Sequence, residues 1–310
     1  MAARLLLALV LAALVSAQPA VAAPAPQLGR TAIVNTVSGT VLVKDKGERR
    51  FSRLSRSLTA VRMGAVLDAT DGHVRLRTAA GPGKPLNYGV FWDGVFRISQ
   101  VKRPGGLTTL SLVGGNVRQC GAGARASRVV QRRLWGDARG NVRTHGHNGS
   151  GTVRGTRWLT EDRCDGTLTA VKRGTVHTEA DGQLQFDVDA GQVIQYYCDF
   201  QGQAPISRLF CTLVLSTPAD GLWGAGILTI GDATNYDLCL GEPSGGLACG
   251  TFDFTPPDSD GFRQSVVVCG ADEGPGDYAV GWFIGGTRLG PPIGFTSNAP
   301  PQALDCISIP

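Results

Sequence analysis

The chain has 310 residues with 43 glycines, two methionines, eight cysteines and a formal charge of +5 at neutral pH. Its 42% hydrophobic content is enough for a packed core and excludes a disordered polyelectrolyte. The small net charge conceals a split: Thr31 to Tyr197 carries 25 Lys and Arg against 13 Asp and Glu, whereas Cys198 to Pro310 carries 3 against 12. Halves of opposite sign read as two domains with different surfaces, in line with the length.

Residues 1–22 read as a secretory signal. Arg4 supplies the positive start, Leu5 to Val15 the apolar run, and Ala20-Val21-Ala22 a small-x-small cleavage site ahead of Pro24. The run falls short of the roughly 20 residues a spanning helix needs, and no later segment reaches that length. An uncleaved anchor is the competing reading. The expectation is an exported, soluble protein without a stable membrane span, secreted or held at the cell envelope, with 23–32 as a linker.

Turn dipeptides recur along the mature chain, and Val, Thr, Leu and Phe alternate with polar residues between them, the pattern of an all-β fold. Strands are predicted at Val37–Val43, Phe51–Leu58, Gly64–Asp68 and Val74–Arg77. A hairpin is predicted across Asp93-Gly94 within Tyr88–Gln100, and a strand at Thr108–Leu112. Residues 120–139 are rich in Arg, Gly and Ala and read as an insertion, with Arg125–Trp135 a short helix or an exposed loop. Strands resume at Val142–Thr144, Gly151–Thr160, Gly166–Lys172, Gly174–Glu179, Leu184–Val188 and Gln192–Tyr197.

Gly151, Gly155, Gly166, Gly174 and Gly182 are expected at strand boundaries. Arg154 and Arg157 flank the Gly155-Thr156 step and are the candidate contacts for an anion or a partner; ion pairs to Glu161 and Asp162 are the alternative. Aromatic residues are not interleaved with basic ones in the sequence, which argues against nucleic acid. An extracellular protein or an anionic envelope polymer is the expected partner. Cys120 and Cys164 are the two cysteines of this half and are expected to pair in an oxidising compartment.

The phrases SGTV, LDATDGHVRLRTAAG, VRTHGHNGSGTVRGTRWLTED, GTLTAVKRGTVHT and DVDAGQV follow one another in order. As an ordered set they resemble the FecR-like domain, in its exported actinobacterial form, over about residues 33 to 195. The resemblance implies an extracytoplasmic all-β domain of stacked short strands at 33–196 that binds protein or polymer. FecR-type regulators relay a signal to a sigma factor. No cytoplasmic segment is read ahead of the apolar stretch, so that role is not expected here.

In residues 197–310, strands are predicted at Leu209–Ser216, Leu222–Ile230, Tyr236–Leu240, Leu247–Phe254, Gln264–Cys269, Tyr278–Ile284 and Ile293–Phe295. Their spacing predicts an acidic, disulfide-stapled sandwich of immunoglobulin-like or jelly-roll type. Trp223 and Trp282 are its expected large core residues. Cys239 and Cys249 frame a short turn and are expected to bond across it. The other four, Cys198, Cys211, Cys269 and Cys306, allow three pairings, which spacing leaves open; Cys198 with Cys211 is the local choice and would leave Cys269 with Cys306.

His145 and His147 lack a third ligand and read as a solvated turn. Asp258-Ser259-Asp260-Gly261 lacks the spacing of an EF-hand and reads as an ordinary turn; carboxylates from Asp272, Glu273 and Asp277 make calcium the minor alternative to no cofactor. There is no nucleophile elbow, zinc-protease helix or phosphate loop. No catalytic, cofactor or metal residues are assigned, and a non-enzymatic binding or structural protein is expected. A carbohydrate-active or other hydrolase with its site among Asp253 to Asp277, and a membrane-anchored FecR-type sensor, are the alternatives.

Overall fold

The computed structural model describes residues 24–103, 105–115, 129–180, 184–199, 210–230, 233–258, 262–303 and 306–309. No helix occurs among them, and so none long and apolar enough to cross a membrane. The first half contains β1 (Thr31–Gly39), β2 (Leu42–Lys44), β3 (Ser52–Arg53), β4 (Thr59–Arg62), β5 (Val66–Asp68), β6 (Gly72–Thr78), β7 (Asn87–Trp92), β8 (Val95–Gln100), β9 (Thr108–Leu112), β10 (Val130–His145), β11 (Ser150–Arg163), β12 (Gly166–Arg173), β13 (Thr175–Ala180), β14 (Leu184–Asp189) and β15 (Val193–Asp199). The second contains β16 (Phe210–Thr217), β17 (Leu222–Ile230), β18 (Asn235–Gly241), β19 (Leu247–Asp253), β20 (Phe262–Gly270), β21 (Gly276–Ile284), β22 (Thr287–Ser297) and β23 (Ile307–Ile309). The fold is all-β and stapled by disulfides.

One ladder runs through both halves. Its strands pair in the order β1–β6–β7–β10–β11–β12–β15–β16–β17–β20–β23, every pair antiparallel. A second layer, β3–β2–β5–β8–β9, joins the far end of the β10–β11 hairpin and continues into β13 and β14. The long hairpin therefore belongs to both layers. Its ladder is interrupted between Arg139 and Val142, and there it folds over. Gly140 occupies the bend at φ +89°, where a Cβ would lie 2.5 Å from the Asn87 side-chain oxygen Oδ1. That oxygen accepts the Asn141 N–H at 2.8 Å, which fixes the bend to β7.

Between the layers lies the first core, built on Phe91, Phe96, Ile98, Leu67, Leu110 and Trp158. Phe91 and Trp158 meet edge to face at 6.3 Å. The Trp158 indole donates to Thr144 Oγ1 at 2.9 Å, so its one polar atom is satisfied in the interior. The burial of β6 alternates without a break from Gly72 to Thr78, as its Val74-Arg75-Leu76-Arg77 pattern predicts.

The predicted hairpin at Asp93-Gly94 does not form. β7 pairs with β6 and β10, whereas β8 pairs with β5 and β9, so the two residues turn a corner from one layer to the other. The corner is held by Asp93 N–H to Ala69 O and Ala69 N–H to Gly94 O, both 2.9 Å. Gly94 is required by contact: a Cβ would sit 1.8 Å from the Arg133 carbonyl oxygen. Val37–Val43 divides in the same way, β1 staying in one layer and β2 opening the other. Of Phe51–Leu58 only Ser52 and Arg53 pair as strand, because Leu54 alone turns inward. The expected helix or loop at Arg125–Trp135 is strand from Val130 onward, with Leu134 and Ala138 buried; residues 116–128 lie outside the described residues.

In the second half, β19–β18–β21–β22 form a separate sheet facing β16, β17 and β20. Trp223 and Trp282 are both buried in the core between them. Pro291 and Pro292 lie in β22, which pairs with β21 alone, as prolines in a sheet require. Cys198–Cys211 and Cys239–Cys249 bond directly opposed residues of neighbouring strands, and Cys269–Cys306 ties β20 to the C-terminal segment. Cys164 is disulfide-bonded; Cys120, its expected partner, lies outside the described residues.

β15 contains the 196/197 position. It bonds to β12 on one side and β16 on the other. Ile194, Tyr196 and Cys198 enter the first core, and Tyr197 enters the second.

Candidate functional site

Cross-strand neighbours in a sheet share a face, so the registers define one row of residues across the long ladder. It runs His73, Trp92, Trp135, Leu159, Ala170, Val193, Ser216, Trp223, Cys269. At its right-hand end the four-stranded sheet covers it: Trp223 and Cys269 are core residues. At its left-hand end nothing covers it among the described residues, and His73, Trp92 and Trp135 are partly exposed.

The uncovered part is cationic and aromatic. The same registers line up Arg75, Val90 and Asp137 in one row across β6, β7 and β10, and Arg77, Tyr88 and Arg139 in the next. Arg157 lies opposite Asp137 on one side and Arg173 on the other. The Arg75 and Arg77 guanidinium carbons lie over the Tyr88 ring at 5.9 and 6.0 Å, and that of Arg157 over Trp92 at 5.2 Å. Trp92 stacks on His73 at 5.2 Å and on Trp135 at 5.9 Å, the two indoles within 4° of parallel. The His73 ring also meets Ser38 Oγ through Nδ1 at 3.1 Å.

Acidic residues do little to neutralise this face. Asp137 is taken by Arg173 at 2.7 Å, and Asp93 at the neighbouring corner by Arg133 at 2.8 Å. Arg75, Arg77, Arg139 and Arg157 make no ion pair among the described residues. Arg77, Arg139 and Arg157 therefore offer guanidinium N–H donors to whatever meets the face, whereas the Nε of Arg75 is buried, which leaves that residue its terminal nitrogens.

Of the two arginines singled out from sequence, Arg157 belongs to this face, while Arg154 is exposed and makes neither an ion pair nor a ring contact among the described residues. The alternative that they pair with Glu161 and Asp162 is overturned, because both carboxylates already have partners. Glu161 binds Arg163 through Nε at 2.9 Å, and the fully buried Asp162 binds Arg132. Gly155 is not at a strand boundary but inside β11, where Arg139 faces it across the interrupted ladder. Gly166 opens β12 and Gly174 separates β12 from β13, while Gly151 is the second residue of β11; Gly182 lies outside the described residues.

The sequence reading missed the interleaving. Tyr88, Trp92 and Trp135 stand far from most of the arginines in the chain, and the register brings them together. The signal that could have shown it is the shared period of two in RLR, YGVFW and LWGDAR, which sets Arg, Tyr and Trp on one side of three strands.

The remaining titratable groups are structural. Asp162 accepts the His147 N–H at 2.8 Å, and Thr167 Oγ1 accepts that of Asn148 at 2.8 Å, so the His145–His147 turn is pinned to β11 and β12. Loss of solvation holds His145 below the ordinary histidine value, against the pull of Asp162 and with help from Arg143 and Arg132. Asp258 accepts the Phe262 N–H, Asp277 the Thr296 hydroxyl, and Glu273 both Ser244 donors. Glu242 is raised above the ordinary carboxylate value by loss of solvation and by the charges of Asp272 and Glu273. Among the described residues no three His, Cys, Asp or Glu side chains are grouped to hold a metal; residues 259–261 lie outside them.

Where the covering sheet begins, a cleft of about 260 Å³ opens between β22 and the ladder, lined by Leu159, Leu168, Val193, Val214 and Phe295. Its charged residues, Glu161 and Arg163, are paired with each other. Comparison of the chain with family models, with curated proteins and with solved structures finds no match in any of the three.

Proposed function

We propose that this is an exported, non-enzymatic binding protein that acts at the cell envelope or outside the cell. In this reading residues 33–196 form a FecR-like β domain whose uncovered face meets a protein or an anionic envelope polymer. The acidic half supplies a stapled support. The observation that carries the proposal is the set of unpaired guanidiniums laid over Tyr88 and Trp92 on an open sheet. Arginine and the large aromatics are the side chains that contribute most to binding surfaces, and a face kept only for solvation has no need to order its cations on rings. The disulfides support an oxidising compartment.

The test is co-sedimentation of the purified mature protein with envelope fractions of its own cells, at low and physiological ionic strength. Association that an Arg77→Glu/Arg139→Glu variant loses, while its melting curve stays close to wild type, is the expected result. No association under either condition, or association indifferent to the double substitution, removes the proposal.

A further inference from the structure

We infer that the ligand of the uncovered face is an anionic polysaccharide, held through its repeating carboxylate, sulfate or phosphate groups by Arg75, Arg77, Arg139 and Arg157. The inference rests on the binding role just proposed and adds the chemistry of the ligand.

Three observations lead there. The first is how the cations are presented. A guanidinium lying over a ring keeps its in-plane N–H donors free, and the ring holds it in place, so less side-chain freedom is lost when it meets a planar oxyanion. Arg75 and Arg77 over Tyr88, and Arg157 over Trp92, are held in this way.

The second is their spacing. Arg75 and Arg77 are two residues apart on β6, roughly 7 Å, and Arg77 and Arg139 face each other across β7, roughly 10 Å. These are backbone spacings, and with Arg157 on β11 the cations are carried on three strands of the ladder, an array that matches repeated charges better than a single one. A chain with a charge on each sugar supplies such repeats, and the flat, unwalled sheet gives it room to lie across the strands.

The third is what the face withholds. Nucleobases bind by stacking on free ring faces. Here Trp92 is crowded by His73, Trp135 and the Arg157 guanidinium, and Tyr88 carries two guanidiniums, while Trp135 has Trp92 as its ring partner. A protein partner would want an apolar centre ringed by polar residues. Val90 is the one aliphatic side chain among the outward residues of β7, between Tyr88 and Trp92. Donors for oxyanions are what the face offers in quantity.

The experiment measures binding of the immobilised full mature chain to polygalacturonate, heparin, oligo(dT) and polyglutamate, at low and physiological ionic strength. The variants are Arg77→Gln/Arg139→Gln, Tyr88→Leu, and a charge-matched control, Arg49→Gln/Arg50→Gln, on an exposed turn away from the face. Circular dichroism and melting curves establish that each is folded. Expected is salt-sensitive binding to polygalacturonate or heparin that falls about tenfold or more in the face double variant and changes less than about twofold in the control, as loss of two oxyanion contacts requires. Tyr88→Leu keeps every charge and should still weaken binding, because it frees Arg75 and Arg77 to move. Equal losses in the face and control variants, tighter binding to oligo(dT) or polyglutamate, or no polysaccharide binding would overturn the inference. Envelope association that survives without polysaccharide binding removes the ligand and leaves the binding role. Absence of both removes both.

Discussion

The same face of one continuous ladder is bare in the first half and covered in the second, and its residues differ accordingly. Over β6, β7 and β10 it carries Arg75, Arg77, Tyr88, Trp92, Trp135 and Arg139. Over β16, β17 and β20 it carries Val214, Trp223, Ala225, Ile227 and Val267, all buried beneath the four-stranded sheet. Aromatic residues appear in both regions, but only the bare one sets arginines among them. An aromatic side chain on a sheet therefore says little by itself; its cross-strand neighbours decide whether it is core or surface.

The largest test of that contrast concerns two tryptophans on neighbouring strands. Trp158→Ala removes a fully buried ring and its bond to Thr144, and should lower unfolding free energy by about 3–5 kcal/mol. Trp135→Ala, on the bare face, should cost no more than about 1 kcal/mol. Urea denaturation of both variants checks this, and similar losses would mean that the bare face is a second core. Next come the staples of the covered half. Replacing Cys269 and Cys306 by Ser opens a separation of 37 residues, against 10 for Cys239 and Cys249. The first replacement should cost about 2–4 kcal/mol and the second less, because a longer closed loop restrains the unfolded chain more. Equal shifts in melting temperature would contradict that order.

The smallest effects are those of pH, and they run in opposite directions in the two halves. Burial alone would raise the Asp45 carboxyl, but N–H donors of Arg62 and Lys46 and the Arg62 charge outweigh it and hold the group below 3.8. Its folded value is depressed, so its contribution is present above the unfolded value and is lost as pH falls through the folded one. Asp45→Asn should remove that acid-side loss, at a cost at neutral pH under about 1 kcal/mol for so exposed a pair. Glu242 is raised, so its folded state binds the proton more tightly and stability grows as pH falls through its folded value. Glu242→Gln should raise the melting temperature slightly at neutral pH and flatten that dependence. Melting curves of both variants between pH 3 and 7, on the carboxylate range, read both signs.

Strands of a single layer were legible from sequence. Thr108–Leu112 and Leu222–Ile230 match their predicted bounds because clear alternation or an apolar run ends at turn residues. The directly opposed Cys239 and Cys249 were legible for a related reason: a short turn between two strands makes them partners, whatever else β18 pairs with. What escaped were the layer changes. Asp93-Gly94 has the composition of a hairpin turn, yet whether the chain reverses or turns a corner depends on Ala69 and Arg133, which lie far off in sequence. The site was half legible for the same cause. Arg157 could be named, but its ring partner Trp92 lies two strands away and is set by register.

β15 has a consequence for how the molecule comes apart. Its alternate side chains are shared between two interiors, and its two edges join β12 to β16. Neither interior can melt without stripping one side of this strand, so heat should dismantle both halves in a single cooperative step despite their opposite charges. A fragment ending at residue 196 would lose Tyr197 and Cys198 and leave the β15 edge unpaired, a template for unwanted strand pairing between copies.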